Sequence, residues 1–298
     1  MIKKLLMKRL LLVLMMCATA WSANVWTGDP NVICVQNFDL ADVNNPSSNW
    51  WYDSSGNAQH FVESSPKHVD ANTADYKQGT SAGRFNDLGY SGLGAYISRA
   101  DAALSAAWPI KSTFSGTAKF SYCAWFKPDR LPTEDAGDTL RYLLGKWGTS
   151  EACVGVYLWY DGANSTVRFA KGWDNGDNSE ALASTTTMVS GQWYHVGITY
   201  DDTDHGAVMR LWDDTAGTVS ETTATHVHAW EPDASDEALR IGNRQISFAQ
   251  RYEFDGLMDE VVFFNDELTS AEIDQIRLGT YGSSSTGTSD WWYRRRHN

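Results

Sequence analysis

A chain of 298 residues with 42% hydrophobic and 13% aromatic residues holds enough apolar mass to fold, which excludes global disorder. Its formal net charge of −13 weighs against a nucleic-acid partner, since a phosphate backbone needs a basic footprint. The 14 Trp, 24 Gly and 7 Pro in a Thr-, Ser- and Tyr-rich chain favour β-structure with many turns.

The chain opens on Lys3, Lys4, Lys8 and Arg9, followed by the apolar run Leu10 to Ala20. This is the layout of a secretory signal, and Ala18-Thr19-Ala20 or Ala20-Trp21-Ser22 supplies the small residues of a cleavage site. The run is shorter than the roughly 20 apolar residues of a membrane span. Residues 1–23 are therefore read as a signal peptide, and the body as secreted, at the cell surface or periplasmic. A lipid anchor on Cys17 is disfavoured by the bulky Met15 and Met16 before it. Export leaves Cys34, Cys123 and Cys153, an odd count that cannot pair fully within one chain. One disulfide with a free thiol is open to them; three small buried hydrophobes on strands is the reading preferred. No C-x-x-C is present, so a zinc knuckle or redox motif has no support.

Strand signals follow in order. Val32 to Phe38 is a short apolar run, and Phe120 to Phe126 stops at Lys127-Pro128-Asp129. Val154, Val156, Leu158 and Tyr160 share one face; Asp161-Gly162 opens a turn, and Thr166 to Ala170 returns as a hairpin. Tyr194, Val196, Ile198 and Tyr200 lie on one side of the next strand, and Ala207 to Trp212 comes back. Ala238 to Gly242 and Leu257 to Phe264 complete the series. No long helical period intervenes, so the pattern predicts one all-β antiparallel sandwich. One helix is signalled late, with Thr269 as N-cap, Glu272 closing a capping box, and Ile273 and Ile276 as its apolar edge.

Several strings carry a resemblance. Trp51-Tyr52-Asp53-Ser54-Ser55-Gly56-Asn57, Gly83-Arg84-Phe85-Asn86 and Tyr122-Cys123-Ala124-Trp125-Phe126-Lys127-Pro128 occur in that order. Gly191-Gln192-Trp193-Tyr194-His195-Val196, Phe254-Asp255-Gly256-Leu257-Met258-Asp259-Glu260-Val261 and Leu268-Thr269-Ser270-Ala271-Glu272-Ile273 follow. Together they resemble the laminin G-like, concanavalin A-like jelly rolls of exported bacterial proteins, a fold related to the pentraxins. The resemblance implies a two-sheet jelly roll over residues 24–281 with one short C-terminal helix. It also implies a structural Ca2+ where the Asp53 loop meets the Asp259 strand. Carried over by position, the ligands are Asp53, Asn57 and Asp259, with Asp39 as a weaker addition. Ca2+ takes six to eight oxygens from carboxylates, amides and carbonyls, which these residue types supply. The cluster Asp174 to Glu180 lacks the spacing of a Ca2+-binding helix-loop-helix and reads as a solvated loop.

Sugar binding needs aromatic faces beside hydrogen-bonding groups. Trp50, Trp51, Trp147, Trp159, Trp173 and Trp230 are the raw material, whereas Trp125, Trp193 and Trp212 sit on strands and read as core. Trp173 beside Asp174 and Asn175 is the first choice, with Trp51 and Trp159 behind it. Glycoside hydrolysis needs carboxylates on one strand face. The nearest string, Glu272-Ile273-Asp274, lies in the helix and reads as helix surface. His226-Val227-His228 shows no nearby third metal ligand, so packed or solvated imidazoles are preferred. No G-x-S-x-G or H-E-x-x-H string occurs. Residues 282–298 form a Ser/Gly/Thr linker and an aromatic-basic tail, a candidate sorting or membrane-interface tag. The reading is a non-enzymatic, lectin-like carbohydrate-binding module with a structural Ca2+. An adhesive or structural envelope module that binds a protein partner is second, and a glycoside hydrolase third.

Overall fold

The computed structural model describes residues 24–39, 50–63, 68–85, 94–132, 140–148, 152–173, 179–231, 235–244 and 252–283. The expected signal segment, the tail from residue 284, and the ligand candidates Asp174 and Asn175 lie outside these residues. In chain order the strands are β1 (Val32–Gln36), β2 (Trp50–Trp51), β3 (Phe61–Glu63), β4 (Asp70–Asn72), β5 (Ala82–Phe85) and β6 (Ile97–Arg99). They continue as β7 (Lys119–Pro128), β8 (Leu140–Trp147), β9 (Ala152–Tyr160), β10 (Ser165–Gly172) and β11 (Ser179–Ala183). Then come β12 (Tyr194–Asp201), β13 (Gly206–Asp213), β14 (Thr218–Thr225), β15 (Leu239–Ile241), β16 (Gly256–Phe264) and the helix α1 (Ser270–Arg277).

The strands form two eight-stranded sheets. Sheet A runs β14-β13-β12-β7-β16-β5-β4, with β1 also on β16; sheet B runs β11-β10-β9-β8-β15-β6-β3-β2. Antiparallel pairing and one terminal helix make this the jelly-roll sandwich that the sequence predicts. Alternation sets the core. Phe120, Tyr122, Ala124 and Phe126 of β7, with Tyr194, Val196, Ile198 and Tyr200 of β12, face Val154, Val156 and Leu158 of β9 and Val167 and Phe169 of β10. Cys34, Cys123 and Cys153 are buried and form no disulfide among the described residues, the packed-hydrophobe arrangement preferred from sequence.

The outer face of sheet A is also covered. Helix α1 lays Ile273 and Ile276 over Cys123, Val262 and Phe264, and Trp26 and Tyr281 close the same cluster. The predicted capping box is present, with Thr269 accepting from Glu272 N–H and Glu272 accepting from Thr269 N–H. Val25 N–H donates to Tyr281 O at 2.8 Å, tying the two ends of this covering layer together. Sheet B has no such helix on its outer face among the described residues, and that face is where the aromatic side chains collect.

Candidate functional site

Strand register builds the outer face of sheet B. On β10 the core residues Val167 and Phe169 alternate with Thr166, Arg168 and Ala170, which face outward. Thr166 pairs with Trp159, Arg168 with Tyr157 and Ala170 with Gly155 of β9. Across β9, Leu140 pairs with Trp159, Tyr142 with Tyr157 and Gly145 with Gly155. One surface therefore carries Tyr142, Tyr157, Trp159 and Trp147 around a floor of small residues. The Tyr142 and Tyr157 rings lie 4.8 Å apart. A Cβ on Gly155 would meet Tyr142 Cε1 at 2.9 Å and Trp147 Cε3 and Tyr157 Cδ1 at 3.4 Å each, so the glycine lets three rings close over the floor. Tyr142, Trp147 and Tyr157 are buried, and Trp159, Leu140 and Tyr252 are half-buried.

Arginines lie on these rings. The Arg168 Cζ stands 3.2 Å over the Trp159 ring. The Arg244 Cζ stands 4.2 Å over Tyr252 and 5.2 Å over Tyr142, and its Nη1 donates to the Tyr142 hydroxyl at 3.3 Å. Burial pushes the Tyr142 and Tyr157 phenols above their ordinary range, with Arg244 and Arg168 pulling the other way. Both phenols stay neutral and able to donate. Rings that carry planar guanidinium groups over one face keep donors beside an aromatic surface, which suits a ring-shaped ligand with polar groups.

The structure divides the carboxylates that sequence reading groups around Ca2+. Asp53 is enclosed by amides: Oδ1 accepts from Val35 N and Ser55 N at 2.9 Å each, and Oδ2 from Gln59 N at 2.9 Å. The exposed Asn57 turns its Nδ2 inward to donate to Val32 O at 2.7 Å. Both residues pin the loop to β1, and three amide donors leave Asp53 little to offer a cation. Asp39 and Asp259 instead meet at the turn Lys77 to Ser81. Asp259 Oδ2 accepts from Lys77 N at 2.7 Å and Gln78 N at 2.8 Å, and Asp39 Oδ1 accepts from Thr80 N at 2.5 Å and Ser81 N at 3.2 Å. A Cβ on Gly79 would fall 2.4 Å from both Asp39 carboxylate oxygens, and its φ of +66° also calls for glycine. Asp259 Oδ1 is buried with no hydrogen-bond partner. Burial, aided by the Asp39 charge, pushes this carboxyl up to about 8 against the backbone N–H groups that favour its ionised form. An orphaned oxygen beside a second carboxylate fits a cation completed by amide and backbone oxygens. No group of three or more His, Cys, Asp or Glu suited to a metal occurs among the described residues.

The tryptophans also separate. Trp51, expected as a ligand contact, is 1% exposed in the core, its Nε1 donating to Glu63 Oε1 at 2.7 Å. The reason is register: β2 pairs Trp50 with Val62 and Trp51 with Phe61, so Trp50 faces outward at 45% exposed and Trp51 inward. Trp230 is buried as well. Trp173, the first choice, is stacked on His228 with ring centroids 3.8 Å apart, so one of its faces is already occupied. Trp159, which sequence reading offers as a sugar contact, lies half-buried on the outer face of sheet B. Tyr142, Tyr157, Arg168 and Arg244 of that face were not anticipated. Glu272 serves the helix cap, and Asp274 holds Arg210 at 2.6 Å and Arg277 at 3.5 Å.

A family model described as the concanavalin A-like lectin/glucanases superfamily matches residues 100–274. Among solved structures, the binding domain of botulinum neurotoxin serotype D/C is 10% identical, with a TM-score of 0.52, over 85% of this chain and 53% of that one. A CBM40 module of a Ruminococcus gnavus IT-sialidase is 13% identical over 55% of this chain and 84% of that one, with a TM-score of 0.41. A heptameric SAP-like pentraxin from Limulus polyphemus is 13% identical over 54% of this chain and 70% of that one, with a TM-score of 0.39. No curated protein matches the sequence. Among the described residues no helix is long and apolar enough to cross a membrane.

Proposed function

We propose that this chain, which belongs to the concanavalin A-like lectin/glucanases superfamily, binds carbohydrate on the outer face of sheet B and does not hydrolyse it. The observation that carries this reading is the half-buried Trp159 beside the paired Tyr142 and Tyr157 rings on one sheet face. Pyranose rings present apolar C–H faces that an indole plane covers, while neighbouring guanidinium groups reach their hydroxyls. The Glu272 and Asp274 pair that comes nearest to a glycosidase string is committed to helix capping and to arginines. The basic and apolar first residues support export, so the ligand is a glycan met outside the cytoplasm.

Ca2+ enters the same reading as a structural ion. Asp39 and Asp259 would hold it at the Lys77 to Ser81 turn, with the orphaned Asp259 Oδ1 as the buried ligand atom. Asp53 and Asn57 stay with the neighbouring loop as backbone clamps.

A glycan array followed by titration of the hits tests the function. Wild type is expected to bind at least one oligosaccharide, and Trp159→Ala to lose that binding at an unchanged melting temperature. Full binding by the variant would move the site elsewhere, and no binding to any glycan by wild type would overturn the function.

A further inference from the structure

The chain has acidic groups in excess, and many of its described lysines and arginines meet one. Lys119 meets Asp201 at 2.5 Å. Even the lysines that point into the sandwich are matched, Lys146 to Asp101 at 3.2 Å and Lys171 to Glu180 at 3.3 Å. Arg99 and Lys111 form no ion pair among the described residues and donate to backbone carbonyls instead, whereas Arg168 and Arg244 lie on rings. Among the described residues neither forms an ion pair; their neighbours are the aromatic rings of the sheet B face. Asp161 senses Arg168 only at longer range, from an exposed turn. The Nε of each arginine is buried without a hydrogen-bond partner.

With a net charge of −13, a missing acid is not a matter of supply. Two guanidinium groups kept on rings and off carboxylates are poised for an anion that arrives from outside, because a planar guanidinium forms paired, charge-assisted hydrogen bonds with a carboxylate or sulfate. Their placement fits one ligand. Arg168 lies on β10 and Tyr142 on β8, two strand spacings or about 10 Å away at the backbone. Arg244 reaches the Tyr142 hydroxyl from the other side. The two charges thus flank the tyrosine pair, a span suited to successive units of a chain of sugars.

We propose that this face is built for an acidic glycan, with Arg168 and Arg244 receiving its carboxylate or sulfate groups while its rings lie against the half-buried Trp159. The proposal rests on the carbohydrate-binding reading above and adds the ligand's charge class. The acidic body of the protein repels polyanions at a distance, so the attraction is local and depends on these two side chains.

Titration of the full chain by calorimetry tests it with matched probes. Oligogalacturonate is compared with its methyl ester for the carboxylate, and a sulfated galactan oligomer with its desulfated form for the sulfate. At least tenfold tighter binding of one charged probe than of its neutral partner is expected. Arg168→Gln and Arg244→Gln should each bring the charged-to-neutral affinity ratio toward one, and added salt should erode that ratio in wild type. Equal affinity of wild type for charged and neutral partners would overturn the acidic class while leaving carbohydrate binding standing. No binding of any probe or array glycan by wild type would overturn both. The wild-type comparison decides the matter even where an arginine variant fails to fold.

Discussion

The fully buried Lys171 places its Nζ 3.3 Å from Glu180 Oε2. Glu180 also takes the His228 ring nitrogen at 3.0 Å and the Val227 backbone N–H at 3.0 Å. Burial works against its ionisation, but these hydrogen bonds and the Lys171 charge outweigh it and hold the carboxyl at about 2. A depressed acid contributes stability that is present above its unfolded value and lost as pH falls through the folded one. The wild type should therefore lose stability between about pH 4.5 and pH 2 at this site. Glu180→Gln should lack that segment in urea titrations. At neutral pH it should cost about 3–5 kcal/mol, because the buried Lys171 keeps its hydrogen bond to His228 O but loses its nearest counter-charge. Adding Lys171→Met should recover much of the loss, and a Glu180→Gln variant as stable as wild type would remove the argument.

Period-two alternation made the core legible where it was clean. On β12, Tyr194, Val196, Ile198 and Tyr200 all face inward as their spacing says. Alternation failed on β8, which carries Tyr142 and Trp147 of the candidate site. There Arg141 and Lys146 point toward the core, at 1% and 0% exposed, and the register shifts between Tyr142 and Leu144. Two inward charges and a bulge erase the apolar period, so the string Leu140 to Trp147 does not look like a strand. Arg244 was beyond reach for another reason: it meets Tyr142 only through the fold, 102 positions apart in the chain. Of the residues nominated for Ca2+, Asp39 and Asp259 are held by one turn, a placement that no spacing in the sequence announces, and only the structure shows Asp53 satisfied by three backbone amides.

Gly197 of β12 sits under Ile273 of α1, and a Cβ there would lie 2.3 Å from Ile273 Cγ2. That distance is far inside van der Waals contact, so Gly197→Ala must push the helix off sheet A. A loss of about 1–3 kcal/mol is expected, typical of an overpacked core. Ile273→Ala alone should also destabilise, but Gly197→Ala in that background should cost much less than in wild type. Additive losses in the double-mutant cycle would show that the two residues do not compete for the same space.

His195 is buried beside Trp125, and its Nε2 has no hydrogen-bond partner. Burial, together with the Arg277 and Arg210 charges, lowers its ring to about 3, so it stays neutral in the folded protein. The unfolded chain takes up a proton below about pH 6.5 that the folded chain refuses. Stability should therefore fall as pH drops from about 6.5 toward 3, a window that opens above the Glu180 one. His195→Gln should flatten the stability profile between pH 6.5 and 4.5. An unchanged slope in that interval would mean that the imidazole is hydrated and titrates normally.

The turn from Lys77 to Ser81 gives the sharpest test of a bound cation, because it holds Asp39 and Asp259 by adjacent amides and leaves Asp259 Oδ1 unsatisfied. A ligand that binds only the folded state raises stability by mass action, about 2.7 kcal/mol at a hundredfold excess over Kd. Millimolar Ca2+ should thus raise the melting temperature of wild type by several degrees, and Mg2+ by less, since Mg2+ demands a smaller octahedral shell. Asp259→Asn and Asp39→Asn should abolish the Ca2+ response, whereas Asp53→Asn should lower stability in both conditions and keep the response. A wild-type melting curve identical in Ca2+ and in excess chelator would rule the ion out. A response lost in Asp53→Asn and kept in Asp259→Asn would move the ion to the Asp53 loop.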